Sequence, residues 1–294
     1  MMSGIRSVPT VLLALTATIL GWGWAFMNIK IALNELDPIT LTILRFIVAD
    51  TLFIPYIIYR KDSLLRRGDI PFVFVLGFGG VAIYHLCLNF GEVYIPSGVA
   101  SLIIATAPVY IFISSIFLLG ERLLKTRVMG TVLALTGVTF IIVSGDTSYE
   151  IGNYIGALAV LISALSATFY TVYGKSIFTL NRYSPSILTA YSITLGTIPL
   201  FFLLTPSRVE QVASISPETW ASVLFLGIFS TFIAYQGWYY ALNKLDASRA
   251  AVFLQAIPVV AVTSGVVFLD EPINSFFAIG AVMVIVGVYV VNRK

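Results

Sequence analysis

Blocks of about twenty residues with almost no charge recur along this chain, and they decide which solvent it can fold in. A helix of about 20 apolar residues crosses ~30 Å of hydrocarbon. Ten such blocks, bounded by charged or turn residues, lie near 8–29, 39–59, 70–90, 97–119, 127–144, 153–174, 186–204, 219–241, 247–269 and 276–291. The segments between them are short, and the two longest, Lys61 to Asp69 and Pro206 to Pro217, leave no room for a soluble domain. Charged residues make up only 11% of the chain, against roughly 25% in soluble globular proteins. The expected fold is therefore an all-α integral membrane protein of ten transmembrane helices, with the lipid bilayer as its first partner.

The net charge of +3 does not point to nucleic acid, because no basic run is mixed with aromatics. Of the 17 Lys and Arg residues, all but Lys30, Arg208 and Arg45 fall on one side if the N-terminus is inside. That bias is what the positive-inside rule expects of an even number of spans with both termini cytoplasmic, in a cell membrane. The apolar stretch after Val8 is longer than a signal-peptide core and has no clear cleavage site, so it is expected to stay as the first span. With one cysteine, Cys87, and one histidine, His85, the chain cannot make an intrachain disulfide. No metal and no cofactor is expected.

Displaced by 150 residues, the chain matches itself without a gap from Val73 to about Ile141. Gly77 meets Gly227, Pro108 meets Pro258, Glu121 meets Glu271, Gly130 meets Gly280 and Gly137 meets Gly287. At 147 residues Pro38, Leu41 and Thr42 meet Pro185, Leu188 and Thr189. Apolar helices share Leu and Val by chance, but not Pro, Glu and Gly in one register. The chain therefore reads as two units, 1–145 and 151–294, of five spans each. An odd number of spans puts the second unit into the membrane upside down, giving two inverted five-helix repeats around a central cavity. One fold used in both orientations supplies two near-equivalent states open to opposite sides, the architecture of many secondary transporters.

The stretches LGWGWAFMNIKIA, LRFIVA, PSGVASLIIATAPVYIF and LLGERLLKTRVMGTVLALTGVTFII, with the second copy DASRAAVFLQAIPVVAV and FLDEPINSFFAIGAVMVIVGVYVV, resemble the drug/metabolite transporter superfamily, specifically its EamA-type ten-span exporters. The resemblance covers nearly the whole chain. It implies export of amino acids and other metabolites through a cavity lined by spans 1, 3, 4, 6, 8 and 9, and it names no particular solute.

Buried polar residues locate such a cavity independently, since a polar group at the bilayer midplane must face protein or water. His85 and Asn89, with Tyr84 beside them, lie on span 3, and their repeat partners on span 8 are Tyr235 and Tyr239. A lone histidine is as readily a packed core residue; the symmetric pairing favours a shared lumen. Pro108 and Pro258 remove a backbone donor from spans 4 and 9, and matched interruptions in two halves point to a binding site. Ser101 leads to the first and Gln255 to the second, while a simple packing kink is the competing reading. Trp22, Trp24 and Asn28 of span 1 and Tyr170 of span 6 complete the expected lining. Aromatic faces with scattered amides and hydroxyls suit an amphipathic or zwitterionic small-molecule solute.

Arg45 is expected to snorkel toward the nearer surface in a structural role. Asp50, about 140° further round span 2, is a candidate for proton coupling, as is His85. Glu121 and Glu271 read as ties between adjacent spans, and the glycine pairs of spans 5 and 10 as a close-packing seam. A membrane-embedded enzyme would need a nucleophile with a base, or metal ligands, and the sequence has neither HExxH nor GxSxG. A passive channel or a non-transporting scaffold could also be built from ten apolar spans. One copy suffices to enclose a cavity, so a monomer is expected.

Overall fold

The computed structural model describes residues 7–60, 64–119, 125–143, 151–178, 183–242, 253–254 and 256–292, and these are helical almost throughout. Span 1 is Ser7–Ala32, span 2 is Pro38–Tyr59 and span 3 is Arg67–Tyr94. Span 4 comes in two pieces, Ser97–Ile104 and Ala107–Leu119, and span 5 is Lys125–Val143. Span 6 is Ile151–Phe178, and span 7 is Pro185–Thr197 with a closing 3-10 turn, Ile198–Leu203. Span 8 joins Pro217–Leu224, Phe225–Ile233 and Ala234–Leu242; spans 9 and 10 supply Ile257–Leu269 and Ser275–Asn292. Among the described residues six helices are long and apolar enough to cross a membrane, and spans 4, 5, 9 and 10 contribute shorter apolar helices. The chain is a multi-pass helical membrane protein.

Three spans start on one device. Asp37, Ser184 and Ser216 accept hydrogen bonds from the amides of the first turn, and Pro38, Pro185 and Pro217 follow, where a missing N–H costs nothing. Asp37 and Ser184 stand 147 residues apart, so the start of span 2 is copied at span 7.

Exchanging each span with the one five later preserves the main pairings. Span 1 packs on 8 and 9 as span 6 packs on 3 and 4; span 2 packs on 8 as 7 packs on 3; 2 meets 7, 4 meets 9 and 5 meets 10. Individual bonds obey the same rule. The Thr18 hydroxyl donates to the Ala234 carbonyl at 3.0 Å, and the Ser163 hydroxyl donates to the Tyr84 carbonyl at 2.7 Å. Ala234 and Tyr84 are 150 residues apart, Ser163 and Thr18 only 145. Spans 1 and 6 are thus repeat partners in a register that their apolar sequences conceal.

Close seams also come in pairs. A Cβ added at Gly77 would lie 1.7 Å from the Ser192 carbonyl oxygen, and one at Gly227 would lie 3.0 Å from the Arg45 carbonyl oxygen, its counterpart across the repeat. Between spans 5 and 10, Gly137 faces the Gly280 carbonyl at 2.7 Å and Gly287 faces that of Gly130 at 2.6 Å, measured to the same added Cβ. The small residues let backbones touch where lipid offers no hydrophobic drive between helices.

At the bundle end that carries Asp37, the two halves are tied by polar groups. The Asp37 carboxylate pairs with Arg208 at 3.3 Å, and Glu35 accepts from the Ser216 amide at 2.6 Å. Burial alone would raise the Asp37 carboxyl, but the Thr40 hydroxyl, the amides of Thr40 and Ile39 and the charge of Arg208 outweigh it and hold it below 3.8. A carboxyl depressed in this way stabilises the fold above its unfolded value, and that contribution fades as pH falls through the folded one.

Replacing Gly77 with Ala should cost about 1–3 kcal/mol by overpacking, read as a lower thermal midpoint in detergent, whereas Gly68→Ala, whose added Cβ meets nothing within 4 Å, should leave it unchanged. Asp37→Ala should cost about 1 kcal/mol as a lost helix cap. The gap between wild type and Asp37→Ala midpoints should be constant from pH 7 to 5 and shrink below pH 3.8.

Candidate functional site

The two spans whose prolines match across the repeat are interrupted where the sequence places the interruption. The first piece of span 4 ends at Ile104, a turn covers Ala105 and Thr106, and helix resumes at Ala107. Span 9 resumes at Ile257, 150 residues on, with Pro258 in its first turn. Pro108 is half-buried and Pro258 buried. The opposite half packs against both breaks: the Thr168 hydroxyl of span 6 lies 3.5 Å from the Ala107 carbonyl, and span 1 passes the Ile257 carbonyl at Gly23.

Two further interruptions have no proline to announce them. Span 3 winds into a π-turn at Phe78–Ala82 and span 8 at Phe225–Ile233, overlapping positions of the repeat. Wide turns of this kind leave carbonyls free and recur at functional sites. Tyr170 lies against Gly80 in the first, and Trp22 donates its indole N–H to the Ser230 carbonyl at 3.0 Å in the second.

Arg45 reaches that second turn as well, and here the structure corrects the sequence expectation. Its side chain does not snorkel: it is 2% exposed, with Nε donating to the Thr231 hydroxyl at 2.8 Å and Nη2 to the Ser230 hydroxyl at 2.9 Å. The π-turn supplies acceptors inside the bundle, which removes the reason to reach for the surface. The remaining nitrogen, Nη1, is buried without a hydrogen-bond partner among the described residues.

Span 3 faces it with a polar stripe. His85, Asn89 and Glu92 are spaced four and three residues apart, so they share one helix face. They are 3%, 0% and 0% exposed. Asn89 donates to the Thr42 hydroxyl at 2.8 Å, which sets it level with span 2 one turn from Arg45. Both His85 nitrogens, the Asn89 Oδ1 and both Glu92 carboxylate oxygens lack a hydrogen-bond partner among the described residues. Buried polar atoms are satisfied as a rule, so such a concentration on one stripe marks a place for something other than protein. Aromatic rings frame it: Tyr84 and Phe46 stand edge-on to His85 at 4.7 and 5.2 Å, and Trp22 stands edge-on to Tyr235 at 5.3 Å.

The other expected residues distribute as follows. Tyr170 places its hydroxyl 3.3 Å from that of Thr189 and 3.2 Å from that of Ser192 on span 7. Ser101 is buried and donates to its own helix at Gly98, and Asn28 donates to its own helix at Trp24, so both are engaged locally. Asp50 is buried and accepts from Thr194 of span 7 at 2.6 Å. Trp24 is not with Trp22. Two residues on a helix differ by about 200°, and Trp24 is 39% exposed, lining an apolar groove with Leu20, Val260, Val267 and Phe268. Gln255, Glu121 and the side chain of Tyr239 lie outside the described residues.

Glu92 is not among the residues expected from the sequence, although its spacing from His85 and Asn89 is there to be read. Beyond it the turn into span 4 is held at both helix ends: Lys30 donates to the carbonyls of Glu92 and Ile95 at 2.5 and 3.0 Å, and Glu271 accepts from the amides of Ser97 and Gly98 at 2.6 and 3.1 Å. A cation on a helix C-terminus and an anion on an N-terminus are both favourable against the helix dipole.

The EamA-like transporter family matches this chain twice, over residues 8–143 and 154–293. A protein of Archaeoglobus fulgidus described as an uncharacterized transporter is 43% identical over 284 residues, covering 97% of this chain and 98% of its own. A probable terminal-alkyne amino-acid exporter of Streptantibioticus cattleyicolor is 30% identical, covering 96% of this chain and 93% of its own, and a probable amino-acid metabolite efflux pump of Escherichia coli is 26% identical over 92% and 90%. A solved crystal structure at 23% identity covers 96% of this chain and 98% of that one with a TM-score of 0.66, and so has the same fold.

Replacing a buried polar group that has no partner by an apolar one of similar size is neutral or stabilising. His85→Leu should therefore keep or raise the thermal midpoint in detergent, while Asn89→Leu, which removes the Asn89–Thr42 bond between spans 3 and 2, should lower it. A fall of several degrees in His85→Leu would show instead that the imidazole holds the fold.

Proposed function

The chain belongs to the EamA-like transporter family, and from that premise we propose that it exports amino acids or similar amphipathic metabolites across the cell membrane by alternating access. It is a transporter and not an enzyme. The observation that carries the finer reading is the matched construction of the two halves. Each has a proline break and a π-turn at corresponding positions, and these lie beside a buried stripe of polar atoms without partners. Broken helices near the midplane are where secondary transporters bind their cargo.

Two of the relatives named above carry an amino-acid exporter or amino-acid metabolite efflux description, which supports the solute class. The Lys and Arg distribution supports cytoplasmic termini, and residues 1–145 and 151–294 as the two units that rock against each other. Both halves of the framework come from one chain, in keeping with a single working copy. Of the two candidate proton groups, His85 is buried beside the Arg45 cation, which opposes a second positive charge, while Asp50 is a buried carboxyl on span 2 bonded to Thr194 of span 7, which favours Asp50.

Purified protein in liposomes should move at least one labelled member of a panel of amino acids and small metabolites, with saturable flux. No flux across the panel overturns the reading, and flux that does not saturate favours a passive pore. His85→Leu should lower the flux about tenfold or more while staying folded. An imposed pH gradient should alter concentrative uptake, and unchanged uptake removes the proton role.

A further inference from the structure

The buried stripe holds a guanidinium and a carboxyl group that do not meet. Arg45 on span 2 spends two nitrogens on Ser230 and Thr231 and keeps Nη1 free; Glu92 on span 3 keeps both carboxylate oxygens free. They are close enough to interact electrostatically, yet no ion pair joins them among the described residues. The other charges near Glu92 do not satisfy it. Lys30 gives its ammonium to backbone carbonyls, and Glu271 is itself an anion, bound to the amides of span 4.

Helix geometry sets the gap. Thr42 and Asn89 are bonded and therefore level, Arg45 lies three residues inward of the first and Glu92 three residues outward of the second. At 1.5 Å per residue on antiparallel spans, their backbone levels differ by about 9 Å. The guanidinium and the carboxyl thus hang from different levels of the same interior, an arrangement that a small molecule with one anionic and one cationic group can bridge with a charge-assisted hydrogen bond at each end. Buried charges without partners are costly, and a ligand that pairs both at once removes both costs.

Building on the transport reading above, we propose that Arg45 and Glu92 are the two poles of the solute site: the free guanidinium edge binds the solute's carboxylate, and the Glu92 carboxylate binds its ammonium. Asn89 Oδ1 and the His85 ring lie between them on the span 3 face and offer the middle of the solute a polar and an aromatic contact. The charges come from one half only. Arg45 corresponds to Ser192 in the repeat and Glu92 to Leu242, so the site is polar in one direction although the scaffold is two-fold. Solutes lacking either charge are selected against because they leave one buried pole unpaired.

The test takes the amino acid that most strongly stabilises the purified wild type, its amide, which lacks the carboxylate, and its N-acetyl form, which lacks the ammonium. Binding is measured for each, with flux in liposomes alongside. Wild type should prefer the zwitterion to both derivatives by about tenfold or more. Arg45→Gln should lose the preference for free acid over amide, and Glu92→Gln the preference for free amine over N-acetyl, each variant keeping the other discrimination. Glu92→Gln is isosteric and carries the test alone if Arg45→Gln fails to fold. Folded variants that discriminate as wild type does would overturn the assignment while leaving transport intact. So would a wild type that moves singly charged or neutral solutes and no zwitterion. Absence of any flux defeats the transport reading itself.

Discussion

Every backbone polar group inside a bilayer must find its partner within the protein, and within that constraint this chain breaks or widens the helices of spans 3, 4, 8 and 9. Each of these places packs against the opposite half. The span 3 turn lies against Phe169, Tyr170 and the backbone of span 7; the span 8 turn receives the Trp22 indole and the Arg45 guanidinium. Thr168 reaches the break in span 4, and span 1 thins to Gly23 beside the break in span 9. The two halves therefore interlock at these places. The interlock also concentrates polar atoms in the middle of an otherwise apolar bundle.

Symmetry of the frame does not extend to the charges. Ser192 and Thr189 at the span 7 counterparts of Arg45 and Thr42 bond with the Tyr170 hydroxyl, a neutral network. Arg45 and Glu92 both sit in the first half, on adjacent spans, facing the same polar stripe. An inverted duplication supplies two equivalent scaffolds; divergence at two positions is enough to give the shared interior a positive and a negative end. Selectivity and alternation are thereby separated. In the proposed mechanism the repeat governs the motion, and a few unpaired side chains govern what is carried.

Much of this is legible in the residues. Ten apolar blocks, the proline breaks and the glycine pairs of spans 5 and 10 all leave strong local marks, because each depends on a residue type that nothing else replaces. The π-turns leave none: Gly79 with Gly80 and Ser230 with Thr231 are unlike in sequence, and the widened turn is imposed by what packs on it. The register of spans 1 and 6 is hidden for a similar reason, since Thr18 and Ser163 share only a hydroxyl among Leu and Ala. Composition groups Trp24 with Trp22, whereas a rotation of about 200° puts it on the opposite face. Depth alone sends Arg45 to the surface, and depth says nothing of an acceptor waiting on another span. Glu92 resembles a span flank until it is set beside His85 and Asn89, whose spacing it continues on one face.

The seams and the ties divide the contacts between the halves into two mechanical kinds. Where Gly77 meets the backbone of Ser192 and Gly196, and where Gly227 meets that of Arg45, main chain rests on main chain with no side chain to yield. Packed contacts of that kind do not slide continuously, so they act as pivots. At the Asp37 end the halves are joined by Asp37 with Arg208 and Glu35 with the Ser216 amide, side-chain bonds on partly exposed groups. The Asp37 pair with Arg208 is worth roughly 1 kcal/mol or less where water can replace it. Under the proposed rocking, the glycine seams stay closed and the polar ties open and re-form. Spans 2, 3, 7 and 8 meet at those pivots, and they carry Arg45 and the His85, Asn89 and Glu92 stripe. In that motion the two poles of the proposed solute site would move least while access to them changes.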